Sequence, residues 1–91
     1  MRQIDMKHSI DGDRIIKTTN GQEIPEHEPT ILFRGRDHLA IPMLLHCRQL
    51  CADDGCTDYQ LVSMDEMIRR FKTFTEEHPE VMKQPGVTRG L

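Results

Sequence analysis

Asp53-Asp54-Gly55-Cys56-Thr57-Asp58-Tyr59-Gln60 decides the architecture of this 91-residue chain, because it holds the end of one helix and the start of another within eight positions. Gly55 suits the left-handed position that follows a helix C-cap, where a side chain would clash with the backbone. Thr57 and Gln60 stand three residues apart, the spacing at which an N-cap hydroxyl and a side chain on the first turn satisfy each other's backbone donors. A connection this short leaves the two helices as antiparallel neighbours.

Downstream, Leu61, Met64, Ile68 and Phe71 recur at helical spacing, and Met67 and Phe74 widen the stripe. The spacing predicts a helix from about Asp58 to Glu77, closed by Pro79. On its opposite side Arg69, Arg70 and Lys72 alternate with Asp65, Glu66, Glu76 and Glu77, which reads as a solvated face with i, i+4 pairing such as Glu66 with Arg70. Upstream, Leu39, Ile41, Leu44, Leu45, Cys47, Leu50 and Cys51 place apolar groups three and four apart. Pro42 cannot sit deep inside a helix, so a loose turn over Asp37 to Ala40 is expected, followed by a helix with Pro42 in its first turn.

The first third carries strand and turn signals. Ile4 to Ile10 is followed by Asp11-Gly12, and Arg14 to Thr19 by Asn20-Gly21, both dipeptides suited to tight hairpin turns. A meander of two or three strands follows, with Ile4, Met6, Ile10, Ile15 and Ile16 as candidates for its buried face. The prolines and glutamates of Gln22 to Pro29 suggest a surface connection, and Thr30 to Arg34 reads as a last strand leading into the first helix. The fold class expected is α+β: an N-terminal β-hairpin or meander packed on a C-terminal antiparallel two-helix hairpin. The chain reads as a single domain, 1–91, with a β-rich part at 1–36, a helical hairpin at 37–78 and an extended tail at 79–91.

Bulk composition narrows the function classes. Hydrophobic residues make up 36%, with no Trp, one Tyr and three Phe, so the core is built from Ile, Leu, Val and Met. A chain of this size buries only about 60 to 65 per cent of its unfolded surface, and pairing with a copy adds apolar burial, which points to a homo-oligomer. The formal charge of −3 argues against a surface adapted to bulk nucleic acid. No apolar run approaches membrane-spanning length and no export signal is evident, so a cytoplasmic protein without membrane contact is expected.

The segment Arg34-Gly35-Arg36-Asp37-His38 is the most suggestive for chemistry. Two guanidiniums, a glycine that admits close backbone approach and a helix start together suit a phosphate or carboxylate. Arg34, Gly35, Arg36 and His38 are the candidate anion-binding residues, and Arg69 and Arg70 would add cations at a subunit interface. The plainer reading is a solvated pair of arginines beside a capping Asp37. His46, Cys47, Cys51 and Cys56 lack the spacing of a zinc knuckle; Cys47 and Cys51 share a helical face with Leu44, which suits small buried hydrophobes. No base is tied to any thiol and no glycine-rich nucleotide motif is present, so neither a catalytic residue, a metal site nor a cofactor is expected, and the chain does not read as an enzyme.

The stretch Glu28-Pro29-Thr30-Ile31-Leu32-Phe33-Arg34-Gly35-Arg36-Asp37-His38-Leu39-Ala40, continued by Leu44, Leu45, Leu50-Cys51 and Gly55, resembles a pattern in short uncharacterised proteins of phages and prophages. The likeness covers about half the chain and carries no activity or catalytic residue. It implies a phage-type setting, the cytoplasm of a host cell, where small non-enzymatic proteins act by binding. Two expectations stand: sequestration of a phosphorylated small molecule or nucleotide signal by a homo-oligomer, or docking on a host protein as an inhibitor or adaptor.

Overall fold

The computed structural model describes residues 1–83. The fold is α+β, a three-stranded antiparallel sheet followed in sequence by two helices packed together. It divides into two compact units, Met1–Ile31 and the segment from Leu32 onward.

In the first unit the strands are β1 (Arg2–Gln3), β2 (His8–Asp11) and β3 (Arg14–Lys17), in the order β1-β2-β3. Of the strand expected over Ile4 to Ile10 only the part from His8 is extended, and Arg2–Gln3 pairs back on it across a turn at Asp5. Its Oδ1 accepts hydrogen bonds from the backbone N–H groups of Lys7 and His8, each at 2.7 Å, so the carboxylate stabilises a turn where the apolar pattern alone suggested extension. Gly12 takes φ +65° in the β2–β3 turn, as its hairpin role requires.

Register decides which side chains are covered. Ser9 pairs with Ile16 and Ile10 with Ile15. The Ser9 and Ile16 side is buried, at 2% and 6% exposure, whereas Ile10 is 36% exposed. The expected apolar face was therefore only half right: the covered side combines one isoleucine with a hydroxyl. Ser9 is satisfied by Thr18, whose Oγ1 lies 2.9 Å from its Oγ, so burying it leaves no polar group unpaired. The following segment returns along β3, with Ile24 N–H donating to the Ile15 carbonyl at 2.8 Å and Lys17 N–H to the Gln22 carbonyl at 2.8 Å. Thr30 to Arg34 forms no strand. Ile31 and Leu32 are 81% and 65% exposed, so the β-favouring side chains there lack both a ladder partner and a surface to cover.

The second unit carries helices α1 (Ala40–Asp53) and α2 (Asp58–Glu77) and a short 3-10 turn at Pro79–Val81. Helix α1 opens as expected of Pro42, which lies in its first turn. The Asp37 carboxylate accepts the Leu39 N–H at 2.9 Å and the Asp37 carbonyl accepts the Ala40 N–H at 3.0 Å. At the other end, Cys56 N–H donates to the Cys51 carbonyl at 2.9 Å and Gly55 N–H to the Ala52 carbonyl at 3.2 Å. This is a Schellman closure, with Gly55 at φ +77°. Gly55→Ala is expected to cost about 1 kcal/mol, the penalty for an L side chain in the left-handed region. Chemical denaturation checks this; an unchanged midpoint would place the helix end elsewhere.

Thr57 caps α2 by accepting the Gln60 N–H at 3.3 Å. The core of this unit is Ala40, Met64, Ile68 and Phe71, with Ser63 also buried. Between the helices, the Arg48 guanidinium grips the Asp65 carboxylate with both Nε and an Nη. The hydrogen bond from Arg48, and to a smaller extent its charge, holds the Asp65 carboxyl below the usual carboxylate range. A lowered folded-state pKa stabilises the fold above the unfolded value near 3.8 and loses that contribution as pH falls through the folded one. Wild type is thus expected to lead Asp65→Asn slightly at neutral pH, and the gap to close as the pH drops below that value. Urea midpoints measured across that range check it, the effect being small because both side chains are solvated.

Two expectations about helix surfaces are corrected. Glu66 is hydrogen-bonded by Arg69, through Nε at 3.1 Å and an Nη, and Arg70 acts on it through its charge alone. Cys47 is exposed and Cys51 half-buried, so they are not the small core residues expected; the face of α1 toward Ala40 is the covered one. In the segment expected to be an extended tail, Pro79–Val81 is helical and Lys83 pairs with Asp37. The remainder of that segment, from Gln84, lies outside the described residues.

Candidate functional site

The Arg34–His38 junction is a compact turn. Asp37 N–H donates to the Arg34 carbonyl at 3.0 Å, which folds the four residues 34–37 back on themselves. A distant segment then joins it: Lys83 N–H donates to the Arg36 carbonyl at 2.7 Å, and His38 N–H donates to the Lys83 carbonyl at 2.9 Å, a parallel bridge centred on Asp37. The junction therefore gathers Arg34, Arg36, His38 and a fourth basic residue, Lys83. Among the described residues no carboxylate forms an ion pair with Arg34, Arg36 or Lys83. Nothing in the local sequence marks Lys83, since 46 positions separate it from Asp37 and backbone bonds alone bring them together.

Gly35 has a packing role. A Cβ built on it would lie 3.1 Å from Cδ1 and 3.2 Å from Cγ of Phe74, whose ring also meets His78 at a centroid distance of 4.9 Å. The missing side chain makes room for an aromatic ring of the same unit. Its φ is not in the left-handed region, so Gly35→Ala would gain slightly from a stiffer unfolded chain if space allowed. Crowding against Phe74 reverses that sign, and a net loss of about 1 kcal/mol is expected. The loss should vanish in a Phe74→Ala background, and a double-mutant cycle on unfolding free energies reads the coupling directly.

The start of α1 has few donors left for an anion. The N–H of His38 is bound to Lys83, those of Leu39 and Ala40 are bound to Asp37, and Pro42 has none. The Asp37 carboxylate already fills the position where a helix start attracts negative charge. Any anion held here is held by side chains. Arg69 is committed to Glu66, and Arg70 donates to the Met67 sulfur at 3.7 Å. No hydrogen bond or ion pair among the described residues joins either to the junction.

A groove in the first unit is lined by Asp13, Glu23, Glu26 and Glu28, with Arg14 among them. Arg14 is held by Asp11 at 2.8 Å and Glu23 at 3.6 Å, so this groove repels phosphate. Among the described residues no group of three His, Cys, Asp or Glu side chains is arranged to hold a metal. The Cys47 thiol is pushed up by desolvation and by the neighbouring Cys51, which lowers its thiolate fraction, the reverse of what a nucleophile needs.

The most unusual surface is on α1. Leu39, Met43, Leu45 and Leu50 are 42%, 38%, 45% and 56% exposed, and only Ala40 of this helix is fully buried. Sequence periodicity counted Leu39, Leu45 and Leu50 among the apolar groups of this helix and left Met43 out, but a 14-residue helix with apolar groups around most of its girth cannot cover them all against one neighbour. Among the described residues no helix is long and apolar enough to cross a membrane. No family model, no curated protein and no solved structure matches the chain.

Proposed function

We propose that this chain is a non-enzymatic binding protein that works through protein contact, using the exposed apolar side of α1 and the basic junction that precedes it. The supporting observation is the row of uncovered Leu39, Met43 and Leu50 side chains on a helix whose other face is already packed on α2. Exposed apolar surface beside a charged rim is what a protein interface presents in its unbound state. The partner that fits is a helix with an apolar stripe and carboxylates at the end that meets Arg36, His38 and Lys83. A photo-crosslinking residue at Met43 is expected to trap a protein, whereas one at Leu45, more exposed at 45% against 38% but on another side of the helix, is not. Equal trapping at both positions, or none at either, contradicts the reading.

A second reading has its own observation. Arg34, Arg36, His38 and Lys83 gather at one turn, and among the described residues the three permanent cations there have no carboxylate partner, which suits the capture of a phosphorylated small molecule. Thermal shift with a nucleoside triphosphate and a cyclic dinucleotide tests it. A rise in melting temperature that Arg34→Ala, Arg36→Ala and Lys83→Ala each reduce supports it, and no rise refutes it.

A further inference from the structure

We propose that the partner of α1 is a second copy of the same helix, laid antiparallel across it, an inference that rests on the protein-contact reading above. Leu39, Met43, His46 and Leu50 are separated by four, three and four residues, the a/d spacing of a two-helix seam. Leu39 is the N-cap residue but has helical φ and ψ of −89° and −8°, so it continues the row. All four are exposed. At about 100° per residue the row lies roughly 130° around the helix from Ala40, Leu44 and Arg48, the side that faces α2 through the Arg48–Asp65 pair.

The spacing is palindromic, and this selects the orientation. In an antiparallel pair related by a two-fold axis, Leu39 stands opposite Leu50 of the copy and Met43 opposite its His46, so every residue of the row has a counterpart in the row. The same alignment brings the Arg34–His38 turn, which precedes the helix, to the Asp53 end of the copy. Charge agrees with geometry: Arg34, Arg36, His38 and Lys83 lie at the start of α1, while Asp53 and Asp54 lie at its end, with Asp58 just beyond. Antiparallel pairing places each basic end on an acidic end and opposes the helix dipoles, whereas parallel pairing would stack Asp53 and Asp54 on their own copies. A seam of three helical turns buries less than the roughly 1,200 Å² of a stable standard interface, so the dimer is expected to be reversible in the micromolar range.

Sedimentation velocity on the full chain over a concentration series tests this. The expected result is a monomer–dimer equilibrium that Met43→Asp weakens at least tenfold, since each substitution enters the two-fold interface twice. Leu45→Asp, off the row, should leave it within a factor of two, and circular dichroism should show both variants folded. Arg36→Glu should weaken the dimer and the double variant Arg36→Glu with Asp53→Arg should restore it, which loss of folding cannot mimic. A monomer at all concentrations, a dimer indifferent to Met43→Asp, or equal sensitivity to Leu45→Asp overturns the proposal. If the chain stays monomeric while Met43 still crosslinks to a different protein, self-pairing is refuted and the protein-contact reading stands.

Discussion

Phe71→Ala is expected to remove about 3 to 5 kcal/mol from the helical unit, the usual cost of deleting a buried aromatic side chain and leaving a cavity. Phe71 is 9% exposed and shares the interior with Met64 and Ile68, in a unit whose only other buried apolar residue among the described residues is Ala40. So few buried side chains leave little reserve. At the usual 0.05 to 0.15 kcal/mol per residue, a unit of this size has on the order of 3 to 9 kcal/mol in total, so one truncation takes a large share. Urea unfolding followed by helical circular dichroism should show a lower midpoint with an unchanged slope. A loss below about 1 kcal/mol would mean that Phe71 is not at the centre of the core.

Ile16→Ala carries the second large effect and tests the sheet's register. Ile16 is 6% exposed and is the one buried apolar side chain of the first unit, so its truncation is expected to cost about 2 to 4 kcal/mol. Ile10 sits one step away on the opposite side of the pleat and is 36% exposed; Ile10→Ala should cost under about 1 kcal/mol. A slip of one residue would exchange the two results, because it turns every side chain to the other face. Hydrogen exchange at the Lys17, Thr18 and Ile24 amides, which bond to Gln22, Lys7 and Ile15, reports the loss locally. Equal costs for the two variants would contradict the observed pairing.

What sequence could show here depended on how local the determining interaction is. The limits of α2 were legible because Thr57, Gln60 and Pro79 act within one turn of the residues they control. The start of α1 was legible through Pro42, whose missing N–H excludes it from a helix interior. The turn at Asp5 was not, since its carboxylate competes for the backbone with a hydrogen bond that apolar periodicity does not register. Thr30 to Arg34 had strand composition but no strand to pair with. At the junction, Arg34, Arg36 and His38 could be nominated from residue type and order, yet Lys83 joins them only through tertiary backbone bonds. Gly35 was assigned to ligand approach, and the ring of Phe74 that occupies its free side could not be seen from either segment alone.

The backbone bonds between Arg36, His38 and Lys83 also fix where the two ends of the helical hairpin stand. The residues just before α1 and those just after α2 are joined by hydrogen bonds of 2.7 and 2.9 Å, so the two ends of the helical hairpin are side by side. A segment with adjacent ends can be spliced into a surface loop of an unrelated scaffold without prying that loop apart. On this ground the helical pair, grafted whole from Arg34 to Lys83, is expected to carry with it the clasp that joins its two ends.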